Sequence, residues 1–157
     1  MKQEIQNALA KYQDVPGALL PILHEVQDAL GYVPPEAVGD IAKALNLSRA
    51  EVHGVITYYH HFRSEAPGRH IVQVCRAEAC QAMGAQSLLD HAEKSLGCKS
   101  HGTTTNGQVT LEPAYCLGLC ASSPAIMIDD VVHARVTNEK FDALMGALSS
   151  TKAKGSS

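Results

Sequence analysis

The chain has 157 residues, 45% of them hydrophobic and 18% charged, and a formal net charge of −3. That is room for one ordinary domain, or for a small domain with an appended helical unit, and it is apolar enough for a packed core. The slight negative charge gives no reason to expect nucleic acid. No apolar run approaches the ~20 residues of a membrane helix, so direct membrane insertion is not expected.

The first part of the chain reads as helix. Residues 3–12 allow an extra helical turn. Leu19, Ile22, Leu23, Val26 and Leu30 then recur at helical spacing, and Gly31 stands where a C-cap belongs. Pro34-Pro35 is suited to opening a second helix, with Val38, Ile41, Ala42 and Leu45 on its apolar face. Ser48-x-x-Glu51 matches a capping box and introduces a third helix, with Val52, Val55, Ile56 and Tyr59 on one side. Tyr58-Tyr59-His60-His61-Phe62 follows. Tyr59 and Phe62 are read as packing residues rather than as part of a metal site, because the adjacent histidines must point in different directions.

The period changes at Ala66-Pro67-Gly68, where we place a boundary. His70 to Val74 reads as a strand with Cys75 at its carboxyl end. Ala85, Leu88, Leu89, Ala92 and Leu96 mark a helix, and Gln108 to Leu111 a second strand. Ala125 to Ile128 and Val131 to Val136 flank Asp129-Asp130 as a hairpin. Phe141, Leu144, Met145 and Leu148 define a last amphipathic helix. Residues 149–157 are a polar tail of small residues, expected to be disordered. The expected organisation is therefore 1–66 helical, 67–148 a small α/β sandwich, and 149–157 tail. In a thioredoxin-like arrangement of these elements, both cysteine loops fall at one end of the sheet.

Chemistry is concentrated in Cys75-x4-Cys80 and Cys116-x3-Cys120. Four-thiolate sets hold iron–sulfur clusters or structural zinc. Both spacings tolerate zinc, but the tight Cys-x2-Cys knuckle is absent. The four-residue loop offers more backbone for wrapping a two-iron rhomb, and Gly118 puts a residue without Cβ where backbone approaches the centre. No histidine lies inside either loop, which argues against a Rieske-type centre. The spacing favours a cluster and leaves zinc open. Disulfides are the weaker reading: the cysteine count is odd, at five, and Met1-Lys2-Gln3-Glu4-Ile5-Gln6-Asn7 contains no apolar signal region. A reducing, cytoplasmic setting is expected. A thioredoxin-type Cys-x-x-Cys redox pair does not occur, and Cys98 has no partner at ligand spacing, so it is read as a packing cysteine. Arg76 and Glu78 are assigned to solvent or partner contact, since electron transfer needs no acid or base. Pro124 stands where thioredoxin-like proteins carry a cis-proline, an isomer the residues alone leave open. Dinucleotide fingerprints and P-loops are also missing, so the chain shows no site of its own for NADH, flavin or formate.

Several segments together carry a resemblance. His24-Glu25-Val26-Gln27, Gly31-Tyr32-Val33-Pro34, Gly54-Val55-Ile56-Thr57-Tyr58-Tyr59, the four cysteines, and Cys116-Leu117-Gly118-Leu119-Cys120 followed by Pro124 resemble the thioredoxin-like [2Fe–2S] subunit family of NADH dehydrogenases. These are the relatives of the 24-kDa subunit of respiratory complex I. The resemblance implies an N-terminal helical unit followed by a thioredoxin-like [2Fe–2S] ferredoxin domain, an α+β or α/β fold. It implies one [2Fe–2S] cluster on Cys75, Cys80, Cys116 and Cys120 and no catalytic residue. Residues 1–66 are read as a docking unit for the flavoprotein, because their several apolar faces are more than three short helices can bury among themselves. Within the family, Cys75-Arg76-Ala77-Glu78-Ala79-Cys80-Gln81-Ala82-Met83-Gly84 is most similar to the gamma subunit of cytoplasmic, NAD-dependent molybdenum formate dehydrogenases. That likeness implies a flavin- and NAD-binding beta subunit and a molybdenum-containing alpha subunit as partners, with FMN, NAD and molybdenum cofactor bound there. Complex I and NAD-linked hydrogenases carry related subunits and are the alternatives.

Overall fold

Four helices occupy the first unit, Met1–Pro67, of the computed structural model, which describes residues 1–150. They are α1 (Lys2–Lys11), α2 (Leu19–Leu30), α3 (Ala37–Ala44) and α4 (Arg49–Tyr58). Ile22, Leu23 and Val26 on α2, Val38, Ile41 and Ala42 on α3, and Val52 and Ile56 on α4 share one core. Gly31 ends α2 at φ +83°, a left-handed conformation open to glycine, and its N–H returns to the Gln27 carbonyl at 2.6 Å. At the start of α4 the Ser48 hydroxyl accepts the Glu51 N–H, and the Glu51 carboxylate takes back the Ser48 N–H at 2.8 Å.

Two features depart from the sequence expectation. The segment expected to supply an extra turn is a complete helix, α1, and it closes the core with Ile5 and Ala8. Its Lys, Gln, Glu and Asn residues mask that narrow apolar stripe in a linear reading. Tyr59 lies beyond the end of α4 and stays 42% exposed, whereas Phe62 is buried. Phe62 packs against the rings of His24 at 5.0 Å and Tyr59 at 6.2 Å. Gln27 is buried as well. Its amide donates to the His61 carbonyl at 2.7 Å and accepts the Arg63 N–H at 2.8 Å, so both of its ends are satisfied.

The second unit begins at Gly68. It contains β1 (His70–Cys75), α5 (Glu78–Ala82), α6 (Ala85–Leu96), β2 (Gly102–Thr103), β3 (Val109–Ala114), β4 (Ile126–Ile128), β5 (Val131–His133) and α7 (Asn138–Ser150). The five strands form one mixed sheet in the order β2-β3-β1-β4-β5. β1 and β3 run parallel with Cys75 opposite Ala114, and β4 lies antiparallel to β1 with Ile126 opposite Val74. Val72 and Val74 of β1, Leu111 of β3, Ile126 and Ile128 of β4, Leu88 and Leu89 of α6, and Phe141 of α7 make its core. His91 Nε2 lies 2.7 Å from Asp142 Oδ1 and ties α6 to α7.

The expected order of strand, helix, strand, hairpin and helix is present, with three short additions: α5, β2 and a 3₁₀ turn at Cys120–Ser122. β3 runs three residues past the expected Leu111, carrying Pro113. β5 stops at His133, because Arg135 adopts φ +48° and its N–H turns to the Ser122 carbonyl at 2.7 Å. Of the polar tail, Ser149 and Ser150 end α7, and residues 151–157 lie outside the described residues. Among the described residues, no helix is long and apolar enough to cross a membrane.

Candidate metal centre

Parallel pairing of β1 and β3 decides where the cysteines go. Both strands run out at the same end of the sheet, so Cys75 closes β1 while the chain leaving β3 at Ala114 reaches Cys116 two residues later. Backbone hydrogen bonds continue past the strands: Arg76 N–H donates to the Ala114 carbonyl at 2.7 Å, and Cys75 N–H to the Ala125 carbonyl at 3.0 Å. The peptide bond between Ser123 and Pro124 is cis. This segment leads into β4, and Ala125 just after it packs in one cluster with Cys75 and Cys80.

Within the first loop, the single-turn helix α5 carries Cys80 back towards Cys75. Both are buried, and they pack with Ala85, Ala125, Leu117 and Leu119 in a small apolar cluster of their own. Cys116 and Cys120 are exposed. All five cysteines are free thiols, and Cys98 packs against the hydrophobic core of this unit, away from the four.

The four thiols come as two pairs. Cys116 Sγ and Cys120 Sγ are 3.7 Å apart, and Cys75 and Cys80 share one small buried cluster. A disulfide needs about 2.05 Å, whereas two thiolates on one tetrahedral metal with ~2.3 Å bonds stand about 3.8 Å apart. The observed separation fits the second geometry. Among the described residues, no group of three or more His, Cys, Asp or Glu forms a site for a single ion. A two-iron rhomb takes its thiolates two per iron, and the donor set here is divided in that way.

Backbone donors surround the sulfurs. Burial alone would push the Cys75 thiol up, yet the N–H groups of Ala77, Leu117 and Cys116, together with the Cys80 thiol, outweigh it and hold Cys75 below its ordinary value. Burial and the neighbouring Cys75 raise Cys80, against an N–H from Ala125 and the Ser123 hydroxyl. Cys120 is raised by its hydrogen bond to Cys116 and by the charge of that neighbour. The second loop is wound tightly enough to direct Gly118 N–H at Cys116 Sγ, 3.4 Å away. Cys116 adopts φ +101° and Gly118 φ +78°, and a non-glycine residue in such a conformation costs on the order of 1–3 kcal/mol. That strain is stored where the sulfurs converge. An array of N–H donors around four thiols stabilises anionic sulfur, so the residues present fit a thiolate-bound, negatively charged cluster.

Arg76, expected at solvent or a partner contact, is half-buried. Its Nη2 donates to Gln86 Oε1 on α6 at 2.7 Å, and its Nε is buried without a hydrogen-bond partner. Ser123 is buried and its hydroxyl donates to the Cys120 carbonyl at 2.6 Å; it carries no signal in the linear chain, where the serines of Cys120-Ala121-Ser122-Ser123-Pro124 read as turn material.

Residues 5–149 match a family model described as thioredoxin-like [2Fe–2S] ferredoxin. A NADH-quinone oxidoreductase subunit of Rhizobium meliloti (strain 1021) is 33% identical over 145 residues, 92% of this chain and 86% of the relative. The corresponding NADH-quinone oxidoreductase subunit of Escherichia coli (strain K12) is 34% identical over 144 residues, 92% of this chain and 87% of the relative. In fold, the chain resembles an air-oxidized NAD+-reducing [NiFe]-hydrogenase at a TM-score of 0.72 and 21% identity, over 90% of its own length. It spans only 24% of that longer chain. The sheet, the paired thiols at its end and the near full-length match lead to one assignment: this chain belongs to the thioredoxin-like [2Fe–2S] ferredoxin family.

Proposed function

We propose that the chain is the electron-carrying subunit of an NAD-linked oxidoreductase, holding one [2Fe–2S] cluster on Cys75, Cys80, Cys116 and Cys120. The observation that carries this reading is the division of the four thiols into a buried and an exposed pair at one end of the sheet, with N–H donors around them. When bound, the cluster accepts and returns one electron. The chain's own residues supply the thiolates, orient donors at them and exclude water from Cys75 and Cys80. No residue acts as acid or base.

A carrier of this kind passes electrons to and from a neighbouring centre, which we assign to a flavin- and NAD-binding partner carrying FMN. The functions named for the relatives, NADH-quinone oxidoreductase and NAD+-reducing hydrogenase, are compatible with that partner class. The first cysteine loop, Cys75 to Gly84, favours the formate dehydrogenase assembly, with a molybdenum subunit beyond the flavoprotein and NAD reduced at formate's expense. The names of the relatives favour, as a second reading, the equivalent subunit of a quinone-linked NADH dehydrogenase. The helical unit is assigned to docking. Its four helices bury most of their apolar residues, but Tyr58 remains 76% exposed beside Tyr59, Val55 and Leu19 along a groove of ≈ 580 Å³.

Iron, acid-labile sulfide and zinc per purified chain test the first claim: two iron and two sulfide are expected, and one zinc with a colourless protein defeats it. A pulldown from native cells tests the assembly. Recovery of a molybdenum subunit supports formate, whereas membrane subunits or a nickel–iron hydrogenase remove that choice.

A further inference from the structure

The Arg76 side chain is pinned at one nitrogen and unsatisfied at another. Its Nη2 donates to Gln86 Oε1 at 2.7 Å, and Gln86 Nε2 donates in turn to Asp90 Oδ1 at 2.8 Å. Its Nε is buried and has no hydrogen-bond partner. Buried N–H groups are almost always paired, and one on a charged guanidinium is among the costlier to leave open. The nearby carboxylates are already engaged. Asp90 holds Gln86, and Glu93, on the next turn of α6, holds Lys99 Nζ at 2.7 Å and the Ser100 N–H at 2.9 Å.

Position shows what the open N–H serves. Arg76 lies between Cys75 and Ala77, and both belong to the apolar cluster at the candidate centre. Its own N–H fixes this part of the loop to the Ala114 carbonyl at 2.7 Å. Gln86, the anchor, follows Ala85, which opens α6 and packs in the same cluster with Cys75 and Cys80. Both ends of the Arg76–Gln86 bond thus start from residues beside the two buried thiols. The guanidinium keeps its charge at any working pH. The remaining neighbours of the thiols are Ala125, Leu117 and Leu119, so this charge acts across apolar side chains, where electrostatic interactions are stronger than in water.

We propose that Arg76 is the fixed counter-charge of the cluster pocket: its open Nε–H is donated to a sulfur of the bound cluster, and the reduction potential is raised. Gln86 is the positioning residue, acting through Arg76. The proposal rests on the cluster reading above. Reduction adds one electron from the external reductant and makes or breaks no bond, so the cluster becomes one charge more negative. A fixed positive charge and a donor aimed at sulfur both favour that state. Asp90 and Glu93 oppose it only in part, since each is already compensated by the partners named above.

The test is a dithionite titration of cluster-loaded full-length chains, followed by the paramagnetic signal of the reduced cluster. Arg76→Met should lower the equilibrium constant for reduction about tenfold, which is about 59 mV for a one-electron couple. Arg76→Lys keeps the charge without a donor at the Nε position and should fall between the methionine variant and the wild type. Gln86→Ala releases the guanidinium and should shift the potential the same way by less than tenfold. Exchange into deuterium oxide should shift the iron–sulfur stretching bands more in the wild type than in either Arg76 variant. Equal potentials in the wild type and Arg76→Met overturn the proposal, as does Arg76→Lys titrating with Arg76→Met or an isotope shift equal in all three. Loss of the cluster from both Arg76 variants also overturns it, because the side chain is then a scaffold only. Where Arg76→Met alone fails to load, wild-type potentials in both Arg76→Lys and Gln86→Ala overturn it. A wild-type chain without iron and sulfide sinks the cluster reading itself, a result distinct from these.

Discussion

Thiol position separates the cysteines more sharply than thiol number. Cys75 and Cys80 are buried beside Ala85 and Ala125, Cys116 and Cys120 are paired at 3.7 Å, and Cys98 belongs to a different packing cluster. Serine at any one of the four should therefore lose or severely destabilise the cluster, because a tether to iron is removed. Cys98→Ser should keep two iron and two sulfide per chain, measured by metal and sulfide analysis. Gly118 offers a finer probe. A Cβ there would meet no atom within 4 Å, so Gly118→Ala tests conformation rather than space. Its φ of +78° should cost about 1–2 kcal/mol and shorten the time the cluster is retained under chelator challenge. Gln27→Ala acts in the other unit, where it leaves the His61 carbonyl and Arg63 N–H without their amide partner. The expected loss is about 1–3 kcal/mol in denaturant unfolding, with iron content unchanged.

Among the elements, α4 has the most explicit local code. The reciprocal bonds of Ser48 and Glu51 satisfy donors that a helix start leaves open, so Ser48→Ala should lower stability by about 1 kcal/mol. Glu51 titrates below its ordinary 4.5, held down first by the Ser48 N–H and then by the Ser48 hydroxyl. A carboxylate with a lowered folded value stabilises fully above its unfolded value and loses that contribution as pH falls through the folded one. The stabilisation from the box should thus persist above about pH 4.5 and disappear on further acidification, and Glu51→Gln should flatten that part of the acid-unfolding curve. In the second unit, β1 and β3 matter as a pair. Neither strand alone brings Cys75 near Cys116; their shared direction does.

For the whole molecule, separate cores predict separable units. One is built on Ile22, Leu23, Val26 and Ile41, the other on Val72, Leu111, Ile126 and Phe141. A fragment starting at Gly68 contains every candidate ligand and should still bind the cluster, read from its visible spectrum. Under the docking assignment it should bind the flavoprotein more weakly than the full chain; equal affinity would remove that role from residues 1–66. The full chain alone should not be reduced rapidly by NADH, and adding the flavoprotein should give NADH-dependent dye reduction.

By itself the sequence determined the spacing of the cysteines, the capping box at Ser48, the C-cap at Gly31 and the periodicity of α2, α3, α6 and β1. These depend on neighbours within a few residues, so they are visible in a linear string. Its family resemblance was legible for the same reason. Tertiary structure alone decided which thiols are buried, that Cys116 and Cys120 stand close, how Gln27 closes the helical unit, and that the Ser123 hydroxyl turns back to the Cys120 carbonyl. It also supplied α1 with a core to bury Ile5 and Ala8 against, without which ten polar-rich residues have little reason to be helical. Burial and hydrogen-bond partnership depend on chain segments far apart in sequence, and here the parallel register of β1 on β3 brings those segments together.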